Sequence, residues 1–265
     1  MSKIISVTSL RNGVGRSTVT CLIGLKLAQT GYKVLIIDNN YKFCDIAHYL
    51  MVRPEYTVDD LKPFLKSGVL EKSTITEIAV TAEKHLDVIA GSTMDYIDNT
   101  LNKEDMIRIK NLINDEYNYI LIDNKAGIEH ANIIEMLEAV ELNIIVAQLN
   151  AHDQKHYERL LKNLEPDHSK KIANGLEKSI VVYNRFNESA SYNFESSKKL
   201  FGEKNIFKIA FSNAIQDFCN GYAYKNDTDN EKEIVRLAAR VAQKETIEIP
   251  KTTITQKLKS MFKVS

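Results

Sequence analysis

The residue types and spacing able to do chemistry begin near the start of the chain. Thr8-Ser9-Leu10-Arg11-Asn12-Gly13-Val14-Gly15-Arg16-Ser17-Thr18 follows an apolar run, Ile4-Ile5-Ser6-Val7, and precedes an amphipathic one, Val19 to Ala28. Buried strand, glycine-containing loop and helix in that order build an anion cradle. The unpaired N–H groups of the loop and first helical turn converge on one point, and the helix dipole adds to them. Gly13 and Gly15 admit backbone conformations closed to other residues and let a ligand come near. Ser17 stands where the hydroxyl of a phosphate-binding loop ligates Mg²⁺. The general pattern G-x-x-x-x-G-K-[ST] is interrupted, with Leu10 for its first glycine and Arg16 for its lysine. A strand–turn–helix corner without a ligand is therefore the alternative.

Two acids stand at the ends of apolar strands. Asp38 follows Val34–Ile37 and Asp123 follows Tyr119–Ile122. A carboxylate at the mouth of a buried sheet is costly unless it is paired, caps a turn or lies beside a cation. One reading sets both around a metal; the other makes each an Asx cap of its own turn.

The loop and two later segments, in order, resemble the deviant Walker A ATPases of the MinD/ParA family. That family's loop reads G-K-G-G-x-G-K-[ST]-[ST], against Leu10 to Thr18 here. Val34-Leu35-Ile36-Ile37-Asp38-Asn39-Asn40 is similar to the family's second strand, which ends in D-x-D. Tyr119-Ile120-Leu121-Ile122-Asp123-Asn124-Lys125-Ala126-Gly127 is similar to its Walker B strand and turn. The resemblance covers roughly residues 1–245. Lys42-Phe43-Cys44-Asp45-Ile46-Ala47-His48-Tyr49-Leu50, followed by the stretch from Arg53-Pro54 to Leu61, resembles the CpaE/TadZ branch of pilus-assembly and polar-localisation ATPases. Many of its members carry a receiver-like domain ahead of the loop; none is expected here, since the first strand begins at Lys3.

The resemblance implies ATP and Mg²⁺ as cofactors. Asn12, Gly13, Val14, Gly15, Arg16, Ser17 and Thr18 would hold the phosphates, and Ser17, Asp38 and Asp123 the metal. Arg11, Asp38, Asn40 and Asp123 would serve catalysis. Tyr183-Asn184-Arg185 is similar to the family's V-N-R turn, so Asn184 and Arg185 would meet the base; a polar turn that ends a strand is the alternative. The family's Pro-containing base segment has no clear match in Lys208–Asp217. The departures bear on turnover. Asn40 replaces the second acid of D-x-D and cannot take up a proton. Arg16 keeps the charge of the loop lysine but carries it on a planar fork. Arg11 replaces the signature lysine that reaches a dimer partner's nucleotide, a role an arginine finger could fill. Asn12 puts a side chain where glycine lets two subunits approach. Phosphate binding is expected to survive, with hydrolysis slow or absent.

These residues need a frame. Continuous apolar runs at Ile4–Val7, Val34–Ile37, Leu86–Ala90, Tyr119–Ile122, Leu142–Ala147, Ile180–Tyr183 and Ile206–Phe211 read as parallel strands buried on both faces. Helices are predicted at about 17–29, 57–66, 103–115, 129–139, 152–164 and 230–244. The fold class is α/β, a doubly wound, mostly parallel sheet of about seven or eight strands with ligands at the C-terminal strand ends. One domain is expected over 1–245, with a linker and tail over 246–265.

The tail holds Lys251, Lys257, Lys259 and Lys263 and no acid, and as a helix it aligns Ile254, Leu258, Met261 and Phe262 on one face. MinD-like proteins end in a similar membrane-docking helix; a frayed end or a helix packed back on the domain are the alternatives. Overall, 35 basic residues balance 35 acidic ones, so no bulk attraction to nucleic acid or membrane is expected. Cys21, Cys44 and Cys219 are dispersed, which predicts a reducing cytoplasm without disulfides or zinc and argues against the iron-protein relatives of this fold. No signal peptide and no apolar run of roughly 18 residues is present, so a soluble protein is expected. The implied function is a homodimeric, nucleotide-gated positioning factor for a pilus, secretion or division machine, attached to membrane through the tail. The rivals are a DNA-partitioning ParA protein, a nucleotide-free scaffold, and a tyrosine kinase, for which Tyr222 and Tyr224 are thin support.

Overall fold

The computed structural model describes residues 1–9, 11–41, 44–94, 100–127, 139–148, 177–187, 205–225 and 227–248, with single positions at 137, 155, 170, 174, 175, 195 and 198. The apolar runs become strands β1 (Lys3–Ser9), β2 (Val34–Asn39), β3 (Val80–Glu83), β4 (Leu86–Ile89), β5 (Tyr119–Asn124), β6 (Leu142–Ala147), β7 (Ser179–Phe186) and β8 (Ile206–Ala210). They form one sheet in the order β3-β4-β2-β5-β1-β6-β7-β8. All pairs are parallel except the β3–β4 hairpin. The described helices are α1 (Arg16–Gln29), α2 (Ile46–Tyr49), α3 (Val58–Ser67), α4 (Lys72–Ile78), α5 (Lys103–Leu112), α6 (Asn213–Cys219) and α7 (Glu231–Val241).

Each predicted strand is present. The edge strand β3 was not anticipated, because its four residues alternate between half-buried and exposed and carry no apolar run. Helices α2, α4 and α6 were likewise unforeseen, being one or two turns long and too short to display a helical period. Thr57 and Asn102 start α3 and α5 through reciprocal capping boxes with Asp60 and Asp105. The helices predicted at 129–139 and 152–164, and the tail after 248, lie outside the described residues apart from single positions.

The sheet is covered on both faces. One core joins Ile5, Val7, Ile36, Leu121 and Ile144 to Leu22 of α1 and Leu237 of α7. The other joins Leu35, Ile37, Ile120 and Ile122 to Leu61 of α3 and Ile109 of α5. Helix α1, expected to be amphipathic over Val19 to Ala28, is instead buried along nearly its whole surface, because the sheet lies on one side of it and α7 on another. β5 lies between β1 and β2, so the C-terminal ends of these three strands open side by side beneath the start of α1. In that register Asp123 pairs with Val7 on one side and with Asp38 on the other. No helix among the described residues is long and apolar enough to cross a membrane.

Candidate functional site

The loop from β1 to α1 turns on Gly15, which precedes the helix with φ +91°. A Cβ there would stand 2.0 Å from Asn184 Nδ2. That amide donates to Val14 O at 2.8 Å, so Asn184, at the end of β7, supports the loop from below. Gly127 N donates to Ser9 O at 2.9 Å and ties the turn after β5 to the loop's entrance. Above lies a cleft of about 570 Å³ lined by Asn12, Gly13, Val14, Gly15, Arg16, Ser17 and Thr18 on one side and by Asp45, Tyr49, Arg185, Gln216, Cys219 and Asn220 on the other. The predicted phosphate-binding residues thus share one cavity. Leu10 lies outside the described residues.

The acids lie beneath this cleft. Asp38 and Asp123 are both fully buried. Asp123 Oδ2 accepts from Ser17 Oγ at 2.6 Å, and Oδ1 accepts a longer bond from Thr20 Oγ1 at 3.4 Å. Arg16 Nε lies 3.7 Å from the same Oδ1. Asp38 accepts from the backbone N–H of Asn40 and Ile46. Burial and then the Asp123 charge push Asp38 well above the usual carboxylate range. Burial also raises Asp123, against the lowering effects of Arg16 and the Ser17 and Thr20 hydroxyls. Asn40 is buried too, and its carbonyl accepts from Ser92 N and the Cys44 thiol. On the opposite face of the sheet Asn39 donates to Asn124, and Asn124 to Ser6, a chain of amides that fixes the ends of three strands.

Ser17, Asp38 and Asp123 offer oxygen donors of the kind Mg²⁺ takes. Asp38 and Asp123 stand in register on neighbouring strands, with the Arg16 guanidinium beside Asp123. The donor set therefore fits the metal.

Arg11, next in sequence to the lining residue Asn12, is exposed, and its Nη2 donates to Gln148 Oε1 at 2.8 Å. Arg185 stands at the rim with φ +54°. Sequence reasoning missed the far wall. Gln216, Cys219 and Asn220 come from α6 and its end, too short an element to register as a helix, and Asp45 is the one carboxylate among the described lining residues. It also missed Thr20, four residues after Arg16 on α1, a spacing that turns both toward the strand ends.

A family model matches residues 2–178: AAA_31, an AAA domain. By sequence the chain is 29% identical over 177 residues to the septum site-determining protein MinD of Synechocystis sp., covering 65% of this chain and 63% of that protein. By fold it is similar to a ParA family ATPase from Chlorobium tepidum TLS, with TM-score 0.70, 21% identity and coverage of 90% and 99% of the two chains. It is also similar to the septum site-determining protein MinD from Pyrococcus horikoshii OT3, complexed with Mg-ADP, with TM-score 0.68, 20% identity and coverage of 91% and 96%. The alignment thus spans less than two thirds of the length of the Synechocystis relative, and the two structures share the fold. With the model matched over more than half of its length, the chain belongs to the AAA domain family, and its relatives are P-loop ATPases of the MinD/ParA type.

Proposed function

We propose that the chain binds ATP with Mg²⁺ at the β1–α1 loop, turns it over slowly or not at all, and works as a nucleotide-gated homodimer that positions a larger assembly. The observation that carries this is the joining of Ser17 to Asp123, with Asp38 in register beside it, under a loop that lines a cleft of about 570 Å³. Ser17, Asp123 and Asp38 would hold Mg²⁺, whose charge would neutralise the phosphates. The loop amides, Arg16 and Thr18 would hold the phosphates, Asn184 and Arg185 would lie toward the base, and the exposed Arg11 would reach a second copy's phosphates. Slow turnover follows from Asn40, a buried amide where an acid would orient water. The likeness after β2 to the CpaE/TadZ branch supports a pilus or secretion machine as the assembly; the MinD relatives support a division machine. Residues 1–245 would form the domain and 246–265 a membrane-directed tail.

A nucleotide-free scaffold is the second reading, favoured by Arg16 lying against Asp123. Calorimetric titration of ATP and ADP with Mg²⁺, beside a steady-state phosphate-release assay, separates the two. Binding with little release, lost in Asp123→Ala, is the expected result. No binding of either nucleotide by wild-type protein selects the scaffold, and rapid release by wild-type protein refutes the reading of Asn40.

A further inference from the structure

Arg16 occupies the loop position from which a cation reaches phosphate, yet its guanidinium is turned inward. The residue is 6% exposed. Nη1 donates to Ser9 Oγ at 3.0 Å. Nε lies 3.7 Å from Asp123 Oδ1 and is buried without a hydrogen-bond partner. The rest of the Asp123 carboxylate is engaged by the Ser17 and Thr20 hydroxyls. Both Asp123 oxygens thus already accept a bond from the chain's own hydroxyls, and the cation that lies beside them is arginine's. A guanidinium can do this because its nitrogens are spread over a rigid plane. One reaches Ser9 while another stays at Asp123, whereas an ammonium presents its three donors from a single nitrogen. The arrangement is also incomplete, since a buried N–H without an acceptor favours any anion that supplies one.

We propose that Arg16 is an internal counter-cation of Asp123. Its guanidinium keeps a divalent cation away from Asp123 until a bound polyphosphate draws it outward, so that metal enters only after phosphate. The exclusion of metal stands on the geometry of Arg16 and Asp123 alone; the release by phosphate rests on the nucleotide reading above.

The test is a Mn²⁺ titration of the nucleotide-free full chain at neutral pH, with free Mn²⁺ read by electron paramagnetic resonance. Arg16→Gln is expected to bind one Mn²⁺ at least about tenfold more tightly than wild type, the scale on which residues around a metal's ligands act. Adding Asp123→Asn to it should abolish that binding. Arg16→Lys, which keeps the charge and spares the fold if the neutral variant does not, should bind Mn²⁺ more tightly than wild type because its donors all leave one nitrogen and lack the spread of the guanidinium over Ser9 and Asp123. Equal Mn²⁺ affinity for wild type and both Arg16 variants overturns the proposal. In wild type, saturating ADP should raise Mn²⁺ affinity by about tenfold or more. ADP that binds without changing Mn²⁺ affinity overturns the gating. If ADP fails to bind while the Arg16 variants still gain Mn²⁺, the counter-cation is upheld and the nucleotide reading falls instead.

Discussion

Asp38 and Asp123 stand on neighbouring strands in register, both fully buried, and neither touches water. Burying such a pair carries a cost that falls on its proton equilibria. Both carboxyls hold protons above the ordinary value of 3.8 when the chain is folded. The folded state therefore binds more protons than the unfolded state once pH exceeds that value, and stability falls as pH rises through the raised folded values. Asp38→Asn should remove part of that loss. The expected gain at neutral pH is about 0.5–2 kcal/mol, typical of relaxing a functional site, or about 2–4 °C of thermal midpoint per kcal/mol. Melting curves at several pH values check it, and the gain should shrink toward pH 4. Gly15 is the opposite case, a residue the fold cannot exchange. Gly15→Ala would force a Cβ into left-handed backbone and onto the Asn184 amide that supports the loop. Loss of nucleotide binding with the far-ultraviolet spectrum intact is the expected result; unchanged affinity would mean that Asn184 is free to move aside.

Among the elements, α1 and α7 lie against the same face of the sheet and are pinned to each other by a charge. Lys26, near the end of α1, is fully buried, and its Nζ donates to Glu231 Oε1 at 2.7 Å from the first turn of α7. The ammonium also lies 5.4 Å from the centre of the Tyr224 ring. Removing the acid leaves a desolvated charge with weaker compensation, whereas replacing the cation by an apolar side chain of similar length removes the need for it. Glu231→Ala should therefore cost about 3 kcal/mol, the low end for a buried pair because Glu231 keeps some exposure. Lys26→Met combined with Glu231→Gln should recover most of that. Urea unfolding midpoints measure both; a Glu231→Ala chain as stable as wild type would show that the pin does not bind the helices together.

For the whole molecule the proposed dimer and tail act jointly. The four tail lysines would each add about 1 kcal/mol near an anionic surface, and four apolar side chains buried to headgroup depth add a comparable share, less the cost of ordering the segment. One tail should bind marginally. Two tails on one dimer should bind about 10²–10⁴ times more tightly, because the second attachment is intramolecular. Co-sedimentation with anionic liposomes, using the intact chain and a 1–250 truncation with and without ATP, is expected to pellet only the intact chain, and more of it with ATP. Equal pelleting of the two chains removes the tail from this role.

The chain's own order of residues determined a good deal: continuous β-branched runs for the strands, glycines and polar residues for the loop, and an acid at the end of each of two strands. These are short-range signals, set by side-chain shape and burial within a few residues. What they do not contain is which strand lies beside which. Only the tertiary structure decided that β5 inserts between β1 and β2, which brings Asp38 level with Asp123. The same holds for Asn184, which supports a loop 170 residues away, and for Glu231, which meets Lys26 across 205. Arg16 is the clearest instance. Its type and place in the loop predict a phosphate ligand, but its guanidinium rests against Ser9, seven residues before it, and Asp123, which meets it only because β5 pairs beside β1.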